Sequence, residues 1–92
     1  MGDIKALSGN TILCIYIPTY SSSNIDSIYN LYLRSLAEDY TIIVICNDSA
    51  SVTTNNIIYI TDNGGEAIQQ SIQYLDSNNI GYDNIVLMDN IP

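Results

Sequence analysis

The chain has no histidine, no tryptophan and no phenylalanine. Without histidine, neither a Ser-His-Asp nor a Cys-His catalytic arrangement can form. Zinc sites of the usual kind fail for the same reason, and 2 cysteines cannot complete one. Cations are nearly as scarce: Lys5 and Arg34 stand against 10 acidic residues, for a net charge of -8. Nucleic-acid binding needs Lys and Arg to replace the counterions of phosphates, and an anionic membrane surface makes the same demand, so the charge argues against both as partners. No run of roughly 18 apolar residues occurs, so no segment reads as a membrane span. The start Met1-Gly2-Asp3-Ile4-Lys5-Ala6 has no signal-peptide core, and Ala6 stands where an N-myristoylation site has Ser or Thr. A cytoplasmic location is the expectation.

What is present is apolar surface in quantity. Of 92 residues 47% are hydrophobic, only 13% are charged, and the mean hydropathy is +0.12. That composition argues against disorder and for one compact domain with a single modest core. Cys14 and Cys46 lie within apolar runs. They are expected to be buried and reduced, behaving as small hydrophobes.

Residues 1–10 show no periodicity and read as a tail, with the domain spanning 11–92. Thr11 to Ile17, TILCIYI, is a nearly continuous apolar run rich in β-branched residues and ended by Pro18. Such a run is a strand buried on both faces, as in a parallel sheet. Ser23 with Asp26 suggests a helix start, followed by an apolar stripe of Ile25, Ile28, Tyr29, Tyr32 and Leu36 and an end near Glu38. Thr41 to Cys46 is a second buried strand, and strand-helix-strand implies a right-handed parallel crossover. After a polar loop over 47–56, Ile57 to Ile60 is a third strand. Asn63 with Glu66 marks the cap of a second helix, whose stripe is Ala67, Ile68, Ile72 and Leu75. Asn78, Asn79 and Gly81 stop it, and Asn84 to Asp89 is a fourth strand. The order β-α-β-β-α-β predicts an α/β fold, a mostly parallel sheet flanked by helices.

Ligands in such sheets bind beyond the carboxyl ends of the strands, at a switch in strand order. Four candidate motifs lie at those ends. Pro18-Thr19-Tyr20 follows the first strand; alone it reads as a strand terminator and turn. Asn47 and Asp48 follow the second, where an amide or carboxylate can accept a hydrogen bond from a base or ribose, or simply form a local turn. Asp62-Asn63-Gly64-Gly65 opens the second helix, where glycines and free N–H groups suit a phosphate. Glu66 places a repelling carboxylate in the same turn, and the plain alternative is an ordinary cap with permissive glycines. Asp89 ends the last strand and offers one hard oxygen ligand, which alone is a poor metal site.

Read in order, IPTY, IIVICNDS, NIIYITDNGG and NIVLMDN resemble the N-terminal half of family-2 glycosyltransferases of the GT-A fold. The resemblance covers about residues 11 to 91, and the Leu-Met-Asp ending is most similar to the rhamnosyl- and galactofuranosyltransferase-like branch. It implies a Rossmann-like half-domain that binds a UDP- or dTDP-linked sugar. By resemblance, Thr19 and Tyr20 line the nucleoside pocket and Asn47 or Asp48 contacts the uracil or ribose. Asn63 belongs to the Asn-x-Gly-Gly motif, Gly64 and Gly65 lie beside the diphosphate, and Asp89 begins the motif that holds Mg²⁺ or Mn²⁺.

The chain departs from that pattern at three places. Cys46 replaces an acidic residue, Gln70 replaces an arginine of the second helix, and Asp89-Asn90-Ile91 lacks the last metal carboxylate. The sequence stops before an acceptor-binding half and its base. The expectation is therefore a fragment that binds nucleotide sugar without transferring it alone. The alternative is a non-catalytic interaction module with a decayed site, self-associating through an exposed sheet edge. A receiver-like or flavodoxin-like domain is disfavoured, because IPTY stands where a receiver clusters its acidic residues.

Overall fold

The computed structural model describes residues 11–48 and 56–88. Six elements follow in order: β1 (Thr11–Tyr16), α1 (Ser22–Ala37), β2 (Thr41–Cys46), β3 (Ile57–Thr61), α2 (Ala67–Ser77) and β4 (Asn84–Met88). The strands form one sheet in the order β3-β2-β1-β4, and every pairing is parallel. This is the Rossmann-like α/β arrangement expected from the alternation of strand and helix runs.

The β-branched runs supply the centre of the sheet. Ile42, Val44 and Cys46 of β2 join Leu13, Ile15, Ile57 and Tyr59 in a core beneath α1. Ile43 and Ile45 join Ile12, Cys14 and Ile58 in a second core beneath α2. Alternate residues of one strand thus feed both layers, which is why the runs show no polar alternation. The crossover through α1 leads to one side of β1, and the crossover through α2 returns to the other. Two crossovers of one hand running in opposite directions require helices on opposite faces, as found. Cys14 and Cys46 are free and buried, one in each core.

The start and stripe of α1 differ from the sequence expectation. Ser21, not Ser23, is the N-cap, and its hydroxyl accepts from the Asn24 N–H at 3.2 Å. The buried positions are Ser22, Ile25, Leu33 and Ala37, with Tyr29, Tyr32 and Leu36 packed beside them. Ile28 is 60% exposed and stands off the stripe. The helix lies over β2 and β3, so the face it buries is turned toward Leu33.

Helix α2 begins later than the sequence suggests, with Glu66 rather than Asn63 at the cap position and no side-chain cap bond. Its buried residues are Gln70, Ser71 and Leu75, while Ile72 is only half-buried. The helix stops in a Schellman turn: the Ile80 N–H reaches Leu75 O at 2.9 Å and the Asn79 N–H reaches Asp76 O at 3.2 Å. Asn79 takes the left-handed conformation there (φ 55°), a role the sequence divided among Asn78, Asn79 and Gly81.

Strand β4 is far less buried than β1. Among the described residues β1 is its only strand neighbour. Val86 on the α1 side is 46% exposed and Leu87 on the α2 side is 43% exposed. Helix α1 lies over the β2–β3 side of the sheet, and among the described residues it does not cover the β4 side of that face.

Candidate functional site

Because the sheet is wholly parallel, Tyr16, Cys46, Thr61 and Met88 end their strands along one edge. The strand order reverses direction at β1, between β2 and β4, so the switch point lies where β1 meets β4. A cavity of about 390 Å³ opens there, lined by Tyr16, Gly65, Glu66, Ala67, Ile68 and Leu87. Its walls are thus the ends of β1 and β4 and the first turn of α2, the place where open α/β sheets hold ligands.

Two groups of sequence-derived candidates sit along this edge. The first surrounds the start of α1. Thr19 and Tyr20 occupy the turn after β1, where the Tyr20 N–H donates to Ile17 O at 3.2 Å. The Tyr20 carbonyl accepts the Asn47 N–H at 2.9 Å, joining the ends of β1 and β2. Asp48 Oδ1 accepts the Ser22 N–H at 2.6 Å. That carboxylate therefore lies at the positive end of α1, where a helix favours an anion. One oxygen of Asp48 is held by its own chain.

The second group precedes α2. The Asp62 N–H donates to Cys46 O at 2.8 Å, which ties this loop to the end of β2. Asp62 Oδ1 accepts the Gly64 N–H at 3.2 Å, and Asn63 Oδ1 accepts the Gly65 N–H at 2.9 Å. Both glycine N–H groups are thus directed to side chains of the loop. Gly64 has φ 87°, a left-handed conformation that L side chains rarely adopt. The bond from Asn63 is the one a helix cap makes, but Gly64 turns the chain out of the helical path, and α2 starts only at Ala67. This is why the capping signature misplaced the helix start.

Gln70 organises the loop. It is 3% exposed, and its amide makes three bonds. Nε2 donates to Asp62 Oδ1 and to Gly65 O, each at 2.8 Å, and Oε1 accepts the Asn63 N–H at 2.9 Å. Sequence reasoning had marked Gln70 only as standing in place of an arginine. Its burial carried no sequence signal, since it falls beside the apolar stripe rather than on it.

Neither cysteine is placed for nucleophilic chemistry. Burial pushes the Cys14 thiol up, against a contact with the Ser71 hydroxyl at 3.0 Å. Burial also raises Cys46, which contacts the backbone carbonyl of Asp48 and feels the Asp48 charge. A thiol held in its neutral form is a poor nucleophile and a poor ligand. Among the described residues no group of three or more Asp, Glu or Cys stands together as a metal site. Asp48 and Asp62 each accept bonds from the chain through Oδ1. Asp89, the residue assigned to metal by resemblance, lies outside the described residues.

No protein-family model, no curated protein and no solved structure matches this chain. No helix among the described residues is long and apolar enough to cross a membrane.

Proposed function

We propose that this domain binds a nucleotide-diphospho-sugar, UDP- or dTDP-linked, at the carboxyl edge of its sheet, as the nucleotide-binding half of a family-2 glycosyltransferase does. The observation that carries the reading is the cavity at the β1–β4 switch point, bounded by the first turn of α2. A helix start without a side-chain cap presents main-chain N–H groups, and these suit a phosphate. Tyr20, Asn47 and Asp48 then stand along the same edge for the nucleoside. The reading assigns binding and assigns no catalytic base.

The charge of the chain sets the demand on the ligand. Glu66 lines the cavity and the net charge is -8, so an unaccompanied diphosphate meets repulsion. Mg²⁺ or Mn²⁺, the cofactor implied by the resemblance, would have to arrive with the nucleotide. Calorimetric titration of UDP- and dTDP-sugars with and without Mn²⁺ tests this. Heat that appears only with the cation is the expected result, and none at millimolar ligand removes the proposal.

One observation favours a second reading, an interaction module. Strand β4 exposes Val86 and Leu87 on its two faces and carries no charged residue or proline from Asn84 to Met88. Edge strands usually carry such residues to discourage pairing. Sedimentation over a wide concentration range tests the alternative, and a monomer throughout counts against it.

A further inference from the structure

We propose that Gln70 is the positioning residue of this site. It holds the loop from Asp62 to Gly65 so that α2 starts at Ala67, with its first turn open to the cavity. The ligand concerned is the nucleotide sugar proposed above, and to that extent the inference rests on that reading.

The amide of Gln70 bonds to Asp62, Asn63 and Gly65, that is, on both sides of Gly64. A buried amide with both its hydrogens taken is costly to rearrange, because any other loop shape leaves polar atoms unpaired in the core. The sequence carries a competing local preference. Asn63 already makes a cap-type bond to the Gly65 N–H, and Glu66 stands at the capping-box position. The φ of 87° at Gly64 is the point where the chain leaves the helical path. The loop thus has two local solutions, and the three bonds of Gln70 belong to one of them. In the other, α2 gains a turn at its start, Gly65 and Glu66 enter the helix, and the wall they give the cavity is lost. Of the cavity lining, the Gln70 amide bonds only the Gly65 carbonyl, and its other two bonds go to Asp62 and Asn63. Its effect on a ligand passes through Gly65 and Glu66.

The test compares Gln70→Leu and Gln70→Glu in the full chain. Amide and carbon NMR signals of Gly64 and Gly65 are read without ligand, and nucleotide-sugar affinity is read by titration. In Gln70→Leu the two glycines should shift toward helical values and affinity should fall about tenfold or more. Amides of Ile43 and Ile45 should stay in place, which separates repositioning from general loosening. In Gln70→Glu the new carboxyl lies beside the Asp62 carboxylate. Protonated, it can donate to Asp62; ionised, it repels it. The loop signals should therefore move from wild-type-like to Gln70→Leu-like as pH rises through the carboxyl range, a response no simple cavity defect gives. Glycine signals unmoved in both variants overturn the proposal, and so does a moved loop with undiminished affinity. If the wild type binds no nucleotide sugar, the functional reading fails, while the ligand-free signals still decide whether Gln70 sets the loop.

Discussion

Asp48 Oδ1 accepts the Ser22 N–H at 2.6 Å, so a residue at the end of β2 completes the first turn of α1. Ser21 supplies the other cap bond, to Asn24. A helix start held by two side chains, one local and one distant, responds differently to each loss. Ser21→Ala and Asp48→Ala should each lower stability by about 1 kcal/mol. Ser23, whose exposed hydroxyl meets that of Ser21 at 3.3 Å without being the cap acceptor, should change it by less than about 0.5 kcal/mol when replaced by Ala. Urea denaturation of the three variants decides the matter. A larger cost at Ser23 than at Ser21 would mean that the cap is misassigned.

The stripe of α1 makes a second test. Leu33 is fully buried beneath the helix, while Ile28 is mostly exposed. Leu33→Ala should cost about 3 kcal/mol through lost transfer and a residual cavity. Ile28→Ala should cost less than about 0.5 kcal/mol. Equal costs at the two sites would show that the helix is rotated from the orientation described.

Gly64 and Gly65 are not equivalent. A Cβ on Gly64 meets nothing within 4 Å, so the penalty of Gly64→Ala is conformational, about 1–2 kcal/mol for the left-handed backbone. A Cβ on Gly65 would meet Asn63 Oδ1 at 3.1 Å, the atom its own N–H bonds. Gly65→Ala should therefore disturb the turn by crowding rather than by backbone strain. Circular dichroism adds a check: if the helix start moves to Gly64 in Gly64→Ala, helical signal should rise even as stability falls.

The buried thiols predict an alkaline limit. Both are raised from the ordinary 9.0, so above that value the unfolded chain releases protons before the folded one does. The unfolded state then binds fewer protons, and stability falls as pH rises. Below about 9 both states keep the thiol proton and the contribution is whole. Cys14→Ala should flatten the decline above pH 9 in thermal melts. In the native wild type both cysteines should resist thiol reagents until denaturant is added; rapid labelling of the native protein would contradict the burial.

The strands were legible because their signal is local. TILCIY and TIIVIC are nearly continuous apolar runs rich in β-branched residues, and a run without alternation already says that both faces are covered. Residue 28 was misread because a stripe of 100° spacing allows more than one rotation, and packing against β2 and β3 selects among them. Asn63 was misread because a capping box is a statement about four consecutive residues, whereas Gln70, several residues later, holds the backbone elsewhere. The thiols of Cys14 and Cys46 were read correctly as buried, but their division between two cores needed the register of β1 against β2.

From its residues alone this chain was bound to be a small parallel α/β sheet with candidate polar groups at strand ends, because periodicity and turn chemistry act over a few neighbours. Strand order, the reversal at β1, the exposure of Val86 and Leu87 on β4 and the Gln70 clamp were decided only in three dimensions. They depend on which apolar faces meet and on which distant polar atoms must be paired once buried, and no window of local sequence contains either.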